Sequence, residues 1–357
     1  MSVASIPMPT MSIDEPLAPG RQGARHTRHP FRGRPERSRG ASSHQDNPLP
    51  PDPAPEVGFY WSEVPWGRVV RCAALDPFAD HFFSARGLEP LAIDVPPHPT
   101  ANQPPSTRLL AEYLDASAGN VWRVRQVHGA AICTAAATPR VNEEDEWPMA
   151  DALVTDRSDL VLTVRTADCV PLFLVDSVRN VAAAVHAGWR GLASRAIAAT
   201  VAHLQSYYEV RATDIVAAVG PSIGPTRYVV REDVPRAFLH AGHDEASCSR
   251  WFRPVAEAAE QEDTFEAEAL TDAAPLTIGT GSATPTERFP AGEYLFDMWQ
   301  ISRETLTTAG VLPAHIHVAR LCTATHVNVF HSYRVEGAGA GRMINAIRPN
   351  KLLRDVA

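Results

Sequence analysis

The sequence contains a single lysine, Lys351, so nearly all of its positive charge is carried by arginine. It lacks a continuous run of about 18 apolar residues, the length that a membrane-spanning helix needs, and we expect no membrane segment. The formal net charge of −8 disfavours general binding of nucleic acid, because phosphates select basic surfaces. These absences favour a soluble protein with small-molecule partners.

Cysteine is also sparse and does not form a pattern typical of a disulfide framework. The odd number of cysteines, without an apolar N-terminal signal segment, favours a reducing compartment, and we expect a cytoplasmic location. The cysteines are Cys72, Cys133, Cys169, Cys248 and Cys322.

Composition divides the chain into segments. Residues 1–55 are rich in Pro, Gly, Ser and Arg and predict a disordered extension, because they bury too little apolar surface to offset their ordering entropy. Residues 56–350 predict one globular domain, followed by a tail at 351–357. Within the domain, residues 255–292 are acidic and then rich in Thr, Gly, Ser and Pro, which predicts a surface insertion.

The globular part alternates short apolar runs with amphipathic stretches. Such a pattern predicts an α/β (mixed α+β) fold, a single domain of mixed β-sheets flanked by helices. The predicted strands are 121–127, 160–164, 171–175, 181–185, 215–219, 316–321 and 343–347, and the predicted helices are 107–114, 192–208 and 299–308.

Three candidate metal ligands follow predicted strands. His128 comes directly after one strand, Cys169 lies just past another, and His186 closes a third. Thiolate and imidazole are donors that zinc prefers, and three protein ligands leave a fourth position open for water or substrate. A buried histidine or cysteine without a metal explains each position equally well, so the residues alone leave both readings open.

Two arginine- and glycine-containing turns are candidate anion sites. In HAGWRG, Gly188 and Arg190 precede a predicted helix whose first N–H groups favour an anion. In the segment SYR…GR, Arg334 and Arg342 flank a glycine-rich stretch. Tight turns alone would also explain the glycines. Asp168, beside Cys169, is a candidate general acid or base, a partner to a histidine ligand, or a capping residue.

These motifs together resemble the YfiH-like family, also called laccase-domain or multicopper polyphenol oxidase proteins. The matching segments are QVHG (126–129), DALVT (151–155), TADCVPLFLVD (166–176), HAGWRGL (186–192), GPSIG (220–224), LCT (321–323) and SYR…GR (332–342). The cysteine that commonly follows GPxIG in that family is replaced here by the sequence PTRY, and this departure bears on substrate preference.

The resemblance implies that His128, Cys169 and His186 bind zinc, with copper as the metal of an older family description. It implies a purine nucleoside phosphorylase that uses phosphate to cleave adenosine, inosine or methylthioadenosine, together with adenosine deaminase activity. Zinc would polarise a substrate atom or activate water. The oligomeric state is not indicated.

Three other functions remain open. Cys169 could be the nucleophile of a metal-free hydrolase with His128 or His186 as its base. The older description implies a copper-dependent polyphenol oxidase (laccase), although multicopper oxidation needs more clustered histidines than this sequence offers. The chain could also be a non-enzymatic binding module recruited through its arginine-rich arm.

Overall fold

The computed structural model describes residues 54–87, 105–135, 147–257 and 285–350. Most of the predicted 1–55 extension, most of the predicted 255–292 insertion and the whole 351–357 tail lie outside the described residues. None of the helices within those four ranges is long and apolar enough to cross a membrane.

Strands of the described ranges form two six-stranded sheets and one three-stranded sheet. The first sheet has the order β1-β2-β3-β15-β7-β4, the second has the order β14-β10-β8-β9-β6-β5, and the third has the order β11-β13-β12. The strands are β1 Phe59–Val64, β2 Gly67–Cys72, β3 Ala79–Ser84, β4 Val121–Trp122, β5 Ile132–Thr134, β6 Ala152–Thr155, β7 Val161–Thr166, β8 Val170–Asp176, β9 Ala182–Ala187, β10 Ile215–Val219, β11 Val229–Arg231, β12 Phe252–Pro254, β13 Glu293–Phe296, β14 Ile316–Val318 and β15 Met343–Pro349.

Helices cover the outer faces of the two large sheets. Both sheets are mixed, because β4 runs parallel to β7, β10 to β14, and β5 to β6, while the other pairs within them are antiparallel. The helices are Pro105–Tyr113, Trp189–Ala193, Ala196–Tyr208, Asp233–His240, Glu245–Trp251, Pro285–Arg288, Met298–Thr308 and Tyr333–Glu336, with short 3₁₀ turns at Ala118–Asn120, Ala212–Asp214, Pro313–His315 and Gly337–Gly339.

Three apolar clusters order these elements into four layers. The central cluster lies between the two large sheets, where Phe83 of β3 stacks on Phe173 of β8 with ring centroids 4.5 Å apart. A second cluster packs helix Ala196–Tyr208 and helix Met298–Thr308 against the second sheet. A third packs Leu110 and other apolar residues of helix Pro105–Tyr113 against the first. The mixed α/β class with helices outside the sheets is therefore confirmed.

Several predicted element boundaries are wrong for identifiable reasons. The strand predicted at 121–127 stops at Trp122 as a strand, although Arg125 still bridges Met149. The helix predicted at 192–208 is two helices, because Arg195 adopts a left-handed backbone with φ of 62°. Arg320 has φ of 49°, and the strand predicted at 316–321 ends at Val318 just before it.

Gly220 sets how closely the turn after β10 approaches the central cluster. Any Cβ built at Gly220 would overlap the ring of Phe83, which is fully buried and already stacked on Phe173. The glycine of GPSIG is therefore required by packing between the sheets as well as by the turn.

We predict that Gly220→Ala lowers the free energy of unfolding by about 1–3 kcal/mol, because Phe83 must shift within a close-packed core. Urea denaturation measures the difference. Gly339→Ala is the matched control, since nothing lies within 4 Å of its added Cβ, and it should change the free energy by no more than about 0.5 kcal/mol. Equal effects of the two substitutions would contradict this explanation.

Candidate functional site

The chain crosses from one large sheet to the other in the turn that carries Cys169. Strand β7 of the first sheet ends at Thr166, and β8 of the second begins at Val170. Between them Asp168 has φ of 87°, a left-handed conformation that non-glycine residues rarely adopt. The strained turn presents the Cys169 thiol at the seam between the two sheets.

His186 reaches the same seam from the neighbouring strand. It is the penultimate residue of β9, which pairs with β8 so that His186 lies opposite Pro171 and Ala187 opposite Val170. The imidazole is 2% exposed. A Cβ at the following Gly188 would lie 2.9 Å from Cys169 Sγ and 3.1 Å from His128 Cδ2, so only glycine lets the chain pass this close to both side chains.

His128 lies in the loop between β4 and β5, and a glutamine side chain holds that loop to β7. Gln126 Nε2 donates to the Arg165 carbonyl at 2.8 Å, and Arg165 N–H donates to Gln126 Oε1 at 2.8 Å. The side-chain amide therefore replaces the backbone ladder that the predicted strand would have made. Beyond it, His128 takes φ of 60° and remains solvent-exposed.

Asp151, immediately before β6, joins the histidine loop to the buried histidine. Its carboxylate accepts from the backbone N–H of Val127, His128 and Gly129 at 3.3, 2.9 and 2.6 Å. The same carboxylate lies 2.8 Å from His186 Nδ1. This contact places the Nδ1 proton towards Asp151 and leaves Nε2 as the donor atom available to a metal.

Charges in this group stabilise one another. Burial opposes ionisation of Asp151, but the His186 imidazole and the loop N–H groups together lower the pKa of its carboxyl. Burial likewise opposes ionisation of Cys169, but the neighbouring His186 and hydrogen bonds from both imidazoles lower the pKa of the thiol to about 6. The site therefore favours a thiolate, which is the form that binds metal.

The three candidate ligands form a group that fits a divalent metal. The donor atoms of His128, Cys169 and His186 lie within 4.8 Å of one another, and the two imidazole rings are nearly perpendicular with centroids 4.7 Å apart. One thiolate and two imidazoles with an open side suit a catalytic zinc centre better than a closed structural one.

A pocket of about 860 Å³ opens from this cluster. Its lining includes the predicted residues His128, Asp168, Cys169, His186, Arg190, Arg334 and Arg342, together with Gln126, Arg165, Trp189, Tyr228 and Tyr333. Residues from six separate stretches of the chain thus contribute to one cavity. Gly188, a candidate anion-binding residue in the sequence, packs against the ligands behind this surface.

Asp168 has partners other than the one that the sequence suggested. Its Oδ1 accepts from Thr323 Oγ1 at 2.6 Å, and its Oδ2 accepts from the backbone N–H of Arg334 at 2.6 Å. Of the roles that the sequence left open for Asp168, that of partner to a histidine ligand is taken in this structure by Asp151. Asp168 instead fastens the SYR segment to the Cys169 turn.

Sequence reasoning missed Asp151, Gln126 and the aromatic side chains of the pocket. Asp151 and Gln126 both lie in short segments that the sequence singled out, DALVT and QVHG, where a carboxylate and an amide stand next to predicted strands. Their partners are distant in sequence, so no local pattern identifies their roles.

The family described as multi-copper polyphenol oxidoreductase laccase matches this chain over residues 104–271 and 260–350. A curated purine nucleoside phosphorylase of Bacteroides thetaiotaomicron is 28% identical over 201 residues, 56% of this chain and 61% of that protein. The alignment thus spans less than two thirds of the relative's length. An adenosine deaminase, RL5, from an unknown prokaryotic organism is 29% identical over 67% of this chain and 78% of its own.

A solved structure has the same fold. The crystal structure of YlmD from Geobacillus stearothermophilus superimposes with a TM-score of 0.57 at 25% sequence identity, covering 79% of this chain and 96% of that one. The mixed sheets and flanking helices described above are therefore those of a known fold.

We predict that Asp151→Asn weakens binding of added Zn²⁺ by about 10–100-fold, the usual effect of removing the carboxylate behind a ligating histidine. The asparagine amide also presents N–H groups to the three loop N–H donors. Competition with a chromophoric chelator measures the affinity, and thermal unfolding checks that the variant is folded.

Asp176→Asn provides the matched control, since Asp176 is a buried carboxylate of β8 that accepts from Val178 N–H outside the pocket. Its zinc affinity should equal that of the unmodified protein. Wild-type zinc affinity in a folded Asp151→Asn variant would show that Asp151 does not support the metal ligands.

Proposed function

The chain belongs to the multi-copper polyphenol oxidoreductase laccase family, and we propose that within it the protein is a zinc-dependent purine nucleoside phosphorylase. One observation carries the proposal: a His-Cys-His group, several guanidinium groups and aromatic rings line a single pocket. Two of its relatives are named purine nucleoside phosphorylase and adenosine deaminase, and these names support the same substrate class.

His128, Cys169 and His186 would hold the metal. When bound, zinc supplies a Lewis acid that stabilises negative charge on a substrate atom at the open coordination position. Multicopper oxidation needs several clustered histidine ligands. Within the described ranges the structure brings together one candidate metal-binding group of three side chains, which disfavours this chemistry.

Arginine side chains would bind phosphate in the pocket. The Arg190 guanidinium stacks on the Trp189 ring at 4.2 Å, and its N–H groups make no hydrogen bond within the described residues. The Arg334 guanidinium lies 5.0 Å from the Tyr228 ring and is held by a 2.6 Å hydrogen bond to the Val229 carbonyl. Stacked guanidinium groups present a preorganised fork that matches phosphate oxygens.

In the proposed reaction, the N9–C1′ bond of the nucleoside breaks with its electron pair going to the purine. A phosphate oxygen forms the new bond to C1′, and the proton of hydrogen phosphate ends on the purine. Arg190 and Arg334 would position the phosphate and offset its charge, which are the usual sources of catalysis in such steps. Trp189 and Tyr228 offer apolar faces for the base or the sugar.

Asp168 is assigned a positioning role in this proposal. Both carboxylate oxygens accept short hydrogen bonds, so the side chain is engaged in holding Thr323 and the Arg334 backbone. By holding the Arg334 backbone to the Cys169 turn, it fixes one phosphate-binding residue relative to the metal ligands.

We predict that purified protein releases adenine and ribose 1-phosphate from adenosine and phosphate, and that Cys169→Ser lowers kcat/KM by at least about 100-fold. Chromatography separates adenine from inosine, which would report deamination. Cys133→Ser is the control, because Cys133 is a half-buried thiol outside the pocket.

Removing the metal distinguishes this proposal from a metal-free cysteine hydrolase. The surroundings of Cys169 favour a thiolate, which a hydrolase of that kind would also need. Chelation should abolish phosphorolysis, and added Zn²⁺ should restore it. Full activity in metal-free protein would favour the hydrolase, and restoration by copper alone would favour the oxidase description.

We predict that Arg190→Gln raises the KM for phosphate by about tenfold, because one charge-assisted bidentate contact is lost. Steady-state kinetics at saturating adenosine give this value. Arg179→Gln removes an arginine that pairs with Glu209 at the surface, and it should leave the KM for phosphate unchanged. An unaltered KM in Arg190→Gln would place the phosphate elsewhere.

A further inference from the structure

The pocket holds more positive charge than one phosphate requires. Arg165, Arg190, Arg334 and Arg342 all line it, whereas Asp168 is the acidic residue among its lining residues. Both oxygens of that carboxylate already accept hydrogen bonds. This concentration of guanidinium groups occurs in a protein whose formal net charge is −8, so it is a local feature of the pocket and not of the whole surface.

Two of these arginines belong to segments that contact the Cys169 turn. Arg190 follows Gly188 and Trp189, and the Gly188 backbone packs directly on Cys169. Arg334 stacks on Tyr228. The backbone N–H of Arg334 also donates to Asp168, the residue before Cys169, at 2.6 Å. The segments of Arg190 and Arg334 are therefore both held against the Cys169 turn, where the proposed phosphate attack takes place.

Arg342 comes from the glycine-rich turn that precedes β15. It is exposed, and its guanidinium lies 5.9 Å from the ring of Tyr333, which is 54% exposed. Nη1 donates to the Ala340 carbonyl at 2.7 Å and to the Gly341 carbonyl at 2.9 Å. These bonds fix the side chain by one nitrogen, and its Nε and Nη2 groups make no hydrogen bond within the described residues, so they can form a fork for an anion.

We propose that Arg342 binds a phosphate carried by the substrate, so that the pocket takes purine nucleoside 5′-monophosphates as well as free nucleosides. This inference rests on the proposed phosphorylase function. Four guanidinium groups in one pocket suffice for two anion positions, which match the two phosphates of the reacting pair. The 860 Å³ pocket is also near the upper end of the usual range of about 300–1,000 Å³.

The chemistry is unchanged by the additional phosphate. The N9–C1′ bond breaks, an oxygen of inorganic phosphate bonds to C1′, and the proton of hydrogen phosphate passes to the purine. With AMP the products are adenine and ribose 1,5-bisphosphate, and the 5′-phosphate ester takes no part in bond breaking. Its contribution is binding through Arg342.

The test compares AMP with adenosine on the zinc-loaded full chain. We expect AMP to bind about tenfold more tightly than adenosine in equilibrium dialysis and to release adenine with a correspondingly lower KM, since a hydrogen bond to a charged group is worth about a factor of ten or more. Arg342→Gln should lower the AMP-to-adenosine ratio of kcat/KM by about tenfold.

Arg303→Gln is the matched control, because Arg303 is an exposed arginine of helix Met298–Thr308 outside this pocket. It should leave the ratio within about twofold, since Arg303 does not line the pocket and exposed charges are screened by salt. Adenosine cleavage with no preference for AMP, or the same ratio in Arg342→Gln, would overturn the inference and leave the phosphorylase proposal standing. If neither compound is cleaved, the phosphorylase proposal fails, and the dialysis comparison still decides whether Arg342 recognises a 5′-phosphate.

Discussion

The site depends on one buried carboxylate. Asp151 accepts hydrogen bonds from three consecutive backbone N–H groups of the loop that carries His128, and it also contacts Nδ1 of His186. Two of the three candidate metal ligands are therefore fixed by the same group. Leaving that carboxylate buried without its partners would be costly, so the loop, the strand end and the imidazole are held as a unit.

The third ligand is positioned by the boundary between the two large sheets. Cys169 lies where the chain leaves β7 of one sheet and enters β8 of the other, in a turn that Asp168 closes with a positive φ. Strain of this kind persists where surrounding structure determines it, and here Thr323 and the Arg334 backbone hold the Asp168 side chain. The packed core between the sheets thus supports the candidate metal ligands, while arginine-bearing loops surround the pocket beside them.

The sequence predicted elements whose signal is local. The range 215–219 agrees with β10, because five consecutive buried apolar residues need no distant partner to be recognised as a strand. Seven candidate side chains of the site line one pocket. The sequence could indicate them because they lie at strand ends or in family motifs. The parts that failed depend on contacts between distant segments. Gln126 replaces a backbone ladder with its side chain by bonding to Arg165, and no periodicity reports such a substitution.

Asp151 shows the same limit for the site itself. Its partners His128 and His186 lie 23 and 35 residues away, and the sequence offered Asp168 as the more obvious carboxylate because it adjoins Cys169. Proximity along the chain was misleading, since the turn directs Asp168 towards Thr323 and Arg334 instead. The identity of the carboxylate that orients a ligand is set by how β6 and β9 pair, which is a property of the folded sheet.

X-ray absorption at the zinc edge of the zinc-loaded protein tests the central claim most directly. The account predicts one sulfur neighbour at about 2.3 Å and two imidazole nitrogens at about 2.0 Å, with one further light atom completing a tetrahedron. A zinc environment made only of oxygen and nitrogen would show that Cys169 is not a ligand, and it would contradict the proposed metal centre.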